Sequence, residues 1–294
     1  MSFFSRMSKA YENALRLPLS ADSRYILFSD CHRGDGRAND NFLKNEFVYL
    51  AALRYYNKYG FTYLELGDGD ELWENRSFER IRQMHPHSFE MLEKFKDEHR
   101  LYLIYGNHDM VKKNAAFCKK YMDVPAYPGI LLEDALHKKN IFLTHGHQAQ
   151  IMNSTYWKVN RFLVRYLWKN LELLGVPDPT SAAKNNSGKG AVEQRLTKWA
   201  QQQQVILIAG HTHRPFAGME QSSYFNTGSC VHPAGITGIE IANRRITLVK
   251  WLPDTRPDQV VFIKREVLGK TVGSDSLAKF TNSYGLCSKC EVLV

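Results

Sequence analysis

The chain has 294 residues, 44% of them hydrophobic and 23% charged, with 39 Lys+Arg against 30 Asp+Glu for a net charge of +9. That composition excludes a disordered or fibrous chain, and the length suits one domain carrying an insertion. The basic balance suits an anionic substrate or surface without marking a nucleic-acid binder, and no stretch approaches the roughly 18 to 20 apolar residues that a membrane-spanning helix needs.

In chain order, residues 1–20 read as an amphipathic helix stopped by Pro18, with Phe3, Phe4, Met7, Tyr11, Ala14 and Leu15 on one side and Arg6, Lys9 and Arg16 near the other. Docking on its own domain is the first expectation and a membrane-surface helix the second. Apolar, β-branched or aromatic runs then recur: Tyr25 to Phe28, Tyr63 to Leu66, Leu101 to Tyr105, Asn140 to Leu143 and Val205 to Ile208. Each reads as a buried strand. Helical patterns over about 41–58 and 77–97 alternate with the first three, which points to an α/β sheet with crossovers. Residues 151–174 form a longer helical stretch, with Trp157, Phe162, Tyr166, Leu167, Trp168 and Leu171 apolar and Lys158, Arg161, Arg165 and Lys169 lining one face. A Pro-, Ser-, Asn- and Gly-containing loop (177–190) and a helix over about 192–203 follow. The last third is strand-rich, near 223–226, 238–242, 245–251 and 260–263, with a hairpin turn at Ala242 to Arg245. The expected division is one domain over 1–268, with a helical, lid-like insertion at about 150–204, and a tail over 269–294.

The 5 cysteines, an odd number, follow an N-terminus without the apolar core of a signal peptide, so a reducing, cytoplasmic setting is expected, with peripheral membrane contact open. Cys31 reads as a packing residue, and Cys287 and Cys290 as two tail cysteines rather than a zinc or redox pair.

Every one of those early strand runs leads into a polar motif. In order they are Asp30-x-His32, Gly67-Asp68-x-x-Glu71, Gly106-Asn107-His108-Asp109, His145-Gly146-His147 and Gly210-His211-x-His213. Ligands in open α/β sheets collect at the carboxyl ends of strands. Asp30, His32, Asp68, Asn107, His145, His211 and His213 together offer carboxylate, amide and imidazole donors and no thiolate. Such a set suits Mn²⁺, Fe²⁺, Co²⁺ or Zn²⁺ better than Ca²⁺. A pair of such ions can clamp a phosphoryl group and activate water at neutral pH. Arg33 is a candidate phosphate contact, with a surface salt bridge as the alternative; His147 is a candidate neighbour of the site or substrate contact.

The ordered set resembles the calcineurin-like metallophosphoesterase superfamily. The resemblance implies an α/β fold, a four-layer α/β/β/α sandwich, and two divalent metal ions, Mn²⁺ first among them, with Fe, Zn or Co as alternatives. It implies that Asp30, His32 and His213 hold one ion, that Asn107, His145 and His211 hold the other, and that Asp68 bridges. It implies that His108 is the acid, or the group stabilising the transition state and leaving oxygen, with Asp109 orienting it, and that the reaction is hydrolysis of a phosphoester or phosphoanhydride by metal-activated water. The segment Leu66-Gly67-Asp68-Gly69-Asp70-Glu71-Leu72-Trp73 and the aromatic, basic insertion are similar to the UDP-2,3-diacylglucosamine hydrolase branch. That branch would make the substrate a nucleotide-linked lipid. A phosphomonoesterase acting on protein or small molecules is an alternative, and a metal-stabilised binding scaffold a third. On these readings Arg33, His147, Lys158, Arg161 and Arg165 are the substrate-contact candidates.

Overall fold

The computed structural model describes residues 2–37, 40–136, 139–164, 186–218, 222–269, 272–273 and 290–293. The first half holds α1 (Phe3–Glu12), β1 (Leu15–Pro18), β2 (Arg24–Phe28), α2 (Glu46–Lys58), β3 (Thr62–Leu66), α3 (Phe78–Met84), α4 (Pro86–Asp97), β4 (Leu101–Ile104), α5 (Ala115–Tyr121), β5 (Ala126–Tyr127), β6 (Ile130–Glu133) and β7 (Ile141–Leu143). Short helices α6 (Ile151–Ser154) and α7 (Trp157–Leu163) precede α8 (Asn186–Gln203). Then come β8 (Ile206–Ala209), β9 (Tyr224–Asn226), β10 (Ile236–Ala242), β11 (Arg245–Thr255), β12 (Val261–Val267), β13 (Val272–Gly273) and β14 (Cys290–Leu293).

Two sheets result. The larger runs β14-β12-β11-β10-β2-β3-β4-β5, with β13 beside β11; β2 to β5 are parallel and β10 to β14 antiparallel. The smaller runs β1-β6-β7-β8-β9, parallel except between β6 and β7. Leu27, Leu64, Leu66, Ile104 and Ile239 of the larger sheet pack with Ile130, Leu132, Leu143 and Ile208 of the smaller into one apolar layer between them. Outside the larger sheet, α2 and α4 bury Tyr49, Tyr56 and Phe95 against Phe28, Tyr63 and Trp251. Outside the smaller one, α1 and α8 bury Met7, Ala10, Leu196 and Trp199 against Phe142 and Leu207. The order helix, sheet, sheet, helix is the four-layer α/β/β/α sandwich, because each sheet is apolar on both faces and must be covered on both.

Several boundaries differ from the sequence reading. The first helix stops at Glu12 rather than near Pro18, because Leu15–Pro18 has alternating burial and pairs in parallel with β6. This helix docks on its own domain, with Arg6 Nε donating to the Gln148 carbonyl at 2.9 Å. The pattern over 77–97 splits at His85, since Pro86 lacks an N–H and opens a new helix at its first turn. Strand β6 has no counterpart among the runs read from the sequence, and α8 begins at Asn186, inside the stretch read as loop. The hairpin does form: Asn243 and Arg244 both take positive φ, 49° and 58°, as a tight two-residue turn requires. Arg165, Lys169 and Cys287 lie outside the described residues. Among those described, no helix is long and apolar enough to cross a membrane.

Candidate metal centre

All the motifs lie just past strand ends: Asp30 and His32 after β2, Asp68 after β3, Asn107 after β4, His145 after β7, His211 and His213 after β8. The two sheets therefore deliver their polar residues to one shared edge. The backbone there is strained. Asp30, His32, Asp68, His211 and His213 have φ of 52°, 49°, 50°, 69° and 55°, a region that non-glycine residues rarely adopt. Each such residue costs about 1–3 kcal/mol and persists where the surroundings fix it, commonly at functional sites. Gly106 is needed for close approach, since a side chain there would collide with the Asp68 carboxylate.

Two sets of donor atoms gather. Asp30, His32 and His213 each place one within 4.8 Å of the others, and Asp68, His145 and His211 do the same. Asp30 Oδ1 lies 3.1 Å from His213 Nε2, and His32 Nε2 is 3.3 Å from His213 Nε2. Asn107 Oδ1 joins the second set, 3.2 Å from His145 Nε2. Asp68 Oδ2 reaches both sets, 3.1 Å from His145 Nε2 and 3.9 Å from His32 Nε2.

The hydrogen bonds around these groups leave the converging atoms available. His32 Nδ1 is bonded to Glu71 Oε2 and His145 Nδ1 to the Leu66 carbonyl, both at 2.8 Å, so each Nε2 faces inward. His211 Nε2 is bonded to Gln150 Oε1 at 2.9 Å, leaving Nδ1 as its other donor atom. Metal-bound imidazoles are oriented in this way, through the second ring nitrogen. Asp30 Oδ2 accepts the His211 backbone N–H at 2.9 Å and the Ser29 hydroxyl, which leaves the buried Oδ1 turned to the His213 ring. A buried carboxylate oxygen and imidazole nitrogens converging on one another are what a divalent cation would satisfy. The donor chemistry, all O and N, fits the ions expected from the sequence.

The same groups perturb one another strongly. Burial opposes charge on His32, yet the bonded Glu71 carboxylate, with Asp68 and Asp30 nearby, pushes it up to about 10. Burial likewise opposes charge on His145, and Asp68 lifts it to about 9. Burial and the neighbouring His145 push His211 down to about 3. Asp68 is held well below the usual carboxylate range: burial would raise it, but His145 and His108 outweigh that.

His108 stands at the rim, stacked on Trp73 with centroids 4.3 Å apart and an interplanar angle of 23°. Its Nδ1 is 2.8 Å from Glu71 Oε1. The carboxylate on this ring is thus Glu71, not Asp109. Asp109 points the other way and accepts the N–H groups of Asp68, Gly69 and Gly106 at 3.3, 3.1 and 2.6 Å. Glu71 was legible as the last residue of its motif, but only its contact with both His32 and His108 gives it a role.

The substrate-contact candidates separate. Arg33 is fully buried rather than at a surface, with Nε on Asp70 and both terminal nitrogens on Glu65, so it faces away from any substrate. His147 is also buried, its ring 5.5 Å from that of His145, and burial beside His145 and His211 keeps it well below its usual value and neutral. Lys158 is exposed and packs over Trp157 at 5.9 Å. Arg161 packs over the same ring at 5.0 Å and lines a cleft of about 400 Å³ with Arg76, Leu72, Phe78, Val111 and Phe117. Cys31, Cys118 and Cys230 are buried free thiols.

Residues 84–243 match the model of the calcineurin-like phosphoesterase superfamily domain. A conserved uncharacterized protein from Streptococcus pneumoniae TIGR4, described as a predicted phosphoesterase, aligns in structure with a TM-score of 0.36 and 17% identity, over 85% of this chain and 100% of its own. A mutant of a cold-active protein tyrosine phosphatase aligns with a TM-score of 0.41 and 13% identity, over 87% of this chain and 82% of its own. No curated protein matches the sequence.

Proposed function

The chain belongs to the calcineurin-like phosphoesterase superfamily, whose reaction is metal-dependent phosphoester hydrolysis; from that premise we propose a dinuclear hydrolase of phosphodiester or phosphoanhydride bonds in a partly apolar substrate. Asp30, His32 and His213 would hold one ion and Asn107, His145 and His211 the other, with Asp68 shared. The observation that carries this reading is Asp68 Oδ2, which stands against His145 of one donor set and His32 of the other. Bound divalent ions, Mn²⁺ the first to try, supply Lewis acidity to phosphoryl oxygens and lower the pKa of a water.

The chain's own residues do the rest. Glu71 holds His108 through Nδ1 and Trp73 holds its face, so Nε2 is the atom that can give a proton to a leaving oxygen. Burial opposes charge on His108, but Glu71 and Asp68 outweigh it and raise its pKa, which favours the acid form. The cleft carrying Arg76 and Arg161 is walled by Leu72, next to Glu71, and Val111, three residues past His108. Apolar side chains beside two guanidinium groups suit a leaving portion that is part apolar and part anionic. That chemistry is what a nucleotide-linked lipid or similar anhydride would present.

The test is Mn²⁺-supplemented hydrolysis of paired chromogenic phosphomonoester and phosphodiester substrates, with Asp68→Asn as the blank. Diester turnover that vanishes in the variant supports the reading. Preference for the monoester moves the function to a phosphomonoesterase, and no turnover of either by protein carrying two metals would point to a binding protein.

A further inference from the structure

Behind the metal centre lies a second charged cluster for which hydrolysis gives no reason. Glu65, Asp70 and Asp109 bring carboxylate oxygens within 4.8 Å of one another in the interior. A cation already stands among them. Lys112 Nζ lies 2.6 Å from Asp70 Oδ2, 2.7 Å from Asp109 Oδ2 and 3.6 Å from Glu65 Oε1. Arg33 completes the group, with Nε 2.7 Å from Asp70 Oδ1 and its terminal nitrogens 2.8 and 3.0 Å from Glu65. The side chains of Lys112 and Arg33 are both 0% exposed.

A buried ionic network is weak evidence for stability, since apolar packing of similar volume often does as well. Its connections run to the site instead. Arg33 directly follows His32, Asp70 is two residues past Asp68, and Asp109 follows His108. Asp109 is the joint. By accepting N–H groups from Asp68 and Gly69 on one side and Gly106 on the other, its carboxylate ties the backbone after β3 to the backbone after β4. Asp68 and Asn107 project from those two stretches. Lys112 is three residues past Asp109, on the short 3₁₀ turn Met110–Lys113, which brings the ammonium back onto that carboxylate.

We propose that Lys112 is a positioning residue of the metal centre: its ammonium, fixed by Asp70 and Glu65, locks the Asp109 carboxylate and so sets the spacing of Asp68 from Asn107. The ammonium takes the place a third cation would otherwise have among the three carboxylates. The proposal rests on the dinuclear reading above.

The test uses the full-length protein, stripped with a chelator and titrated with Mn²⁺, beside Lys112→Met, Lys112→Arg and the charge-balanced double variant Lys112→Met/Asp70→Asn. Melting in chelator reports the fold, calorimetry the affinity of each site, and electron paramagnetic resonance the exchange-coupled Mn²⁺ pair. In the double variant the melt should stay close to wild type, while one ion binds at least about tenfold more weakly and the coupled signal is lost. Lys112→Arg should restore part of that signal. A folded double variant with both wild-type affinities and unchanged coupling would overturn the proposal. So would failure of both methionine variants to fold in chelator, which would place the lysine's role in core stability. Wild-type protein binding fewer than two Mn²⁺ would overturn the dinuclear reading and this proposal with it.

Discussion

The strand-end centre and the charged web behind it are both dense in ionisable side chains, yet they are built on opposite terms. In the web every carboxylate faces a resident cation: Arg33 and Lys112 stand against Glu65, Asp70 and Asp109. In the centre imidazoles face one another, Asp30 Oδ1 faces the His213 ring rather than a lysine or arginine, and the backbone is held at positive φ. One cluster is closed by the permanent cations Arg33 and Lys112, and the other by imidazoles, which can give up a proton and ligate an incoming ion. Charge density alone therefore does not identify a site; the kind of internal partner does.

Substitutions that exchange these properties should break the comparison. The largest effect is expected at Asp68→Asn, which removes the shared carboxylate: steady-state hydrolysis should fall by at least about a thousandfold, while melting in chelator changes little. A variant that keeps a tenth of the activity would contradict the role given to Asp68. Arg33→Met should do the reverse. It strips a buried pair of carboxylates of their partner, at a cost of roughly 3–5 kcal/mol measured by denaturant unfolding. A value near zero would show that the web is dispensable to the fold.

Between these lies His108→Ala, where turnover should drop by about a hundredfold or more, as expected for a lost general acid, with metal content unchanged. If metal content falls as well, His108 is a ligand and the assignment fails. The smallest effect is expected at a third charged group, which sharpens the contrast because it has neither role. Buried His85 is bonded to Asp40 through Nε2 and to Glu46 through Nδ1, each at 3.0 Å. Burial opposes its charge, but the two carboxylates raise it to about 9 from the ordinary 6.5. A raised imidazole contributes its stability in full below pH 6.5 and loses it as the pH climbs through 9. Asp40 and Glu46 are lowered in turn, so their share is lost in acid. His85→Ala should cost about 2 kcal/mol near pH 6, and the gap from wild type should close by pH 10. A gap that widens with rising pH would mean that His85 is neutral in the fold.

These contrasts also explain what the sequence could and could not tell. Strands β2, β3, β4, β7 and β8 were legible because each is a short apolar run ended by a polar motif, and a strand end fixes where the next residues go. Strand β6 was missed because Ile130–Glu133, no shorter than β4 or β8, is followed by none of the polar motifs that mark those strand ends. The ligand candidates could be named because hard donors recur in order. Arg33 was misplaced because adjacency to His32 says nothing about which way a side chain points, and its buried partners Asp70 and Glu65 come from a different stretch of the chain. Lys112 gave no signal at all, since its partners Glu65, Asp70 and Asp109 meet only when β3 and β4 lie side by side. Glu71 was visible within its motif, but its grip on two histidines belongs to the fold.

The most direct test of the central claim is calorimetric titration of Mn²⁺ into chelator-stripped wild-type protein and into Asp68→Asn. Two equivalents per chain in the wild type, falling to one or none in the variant, is the predicted result. A single equivalent in the wild type, or a stoichiometry that the loss of Asp68 leaves untouched, would contradict a pair of ions sharing that carboxylate.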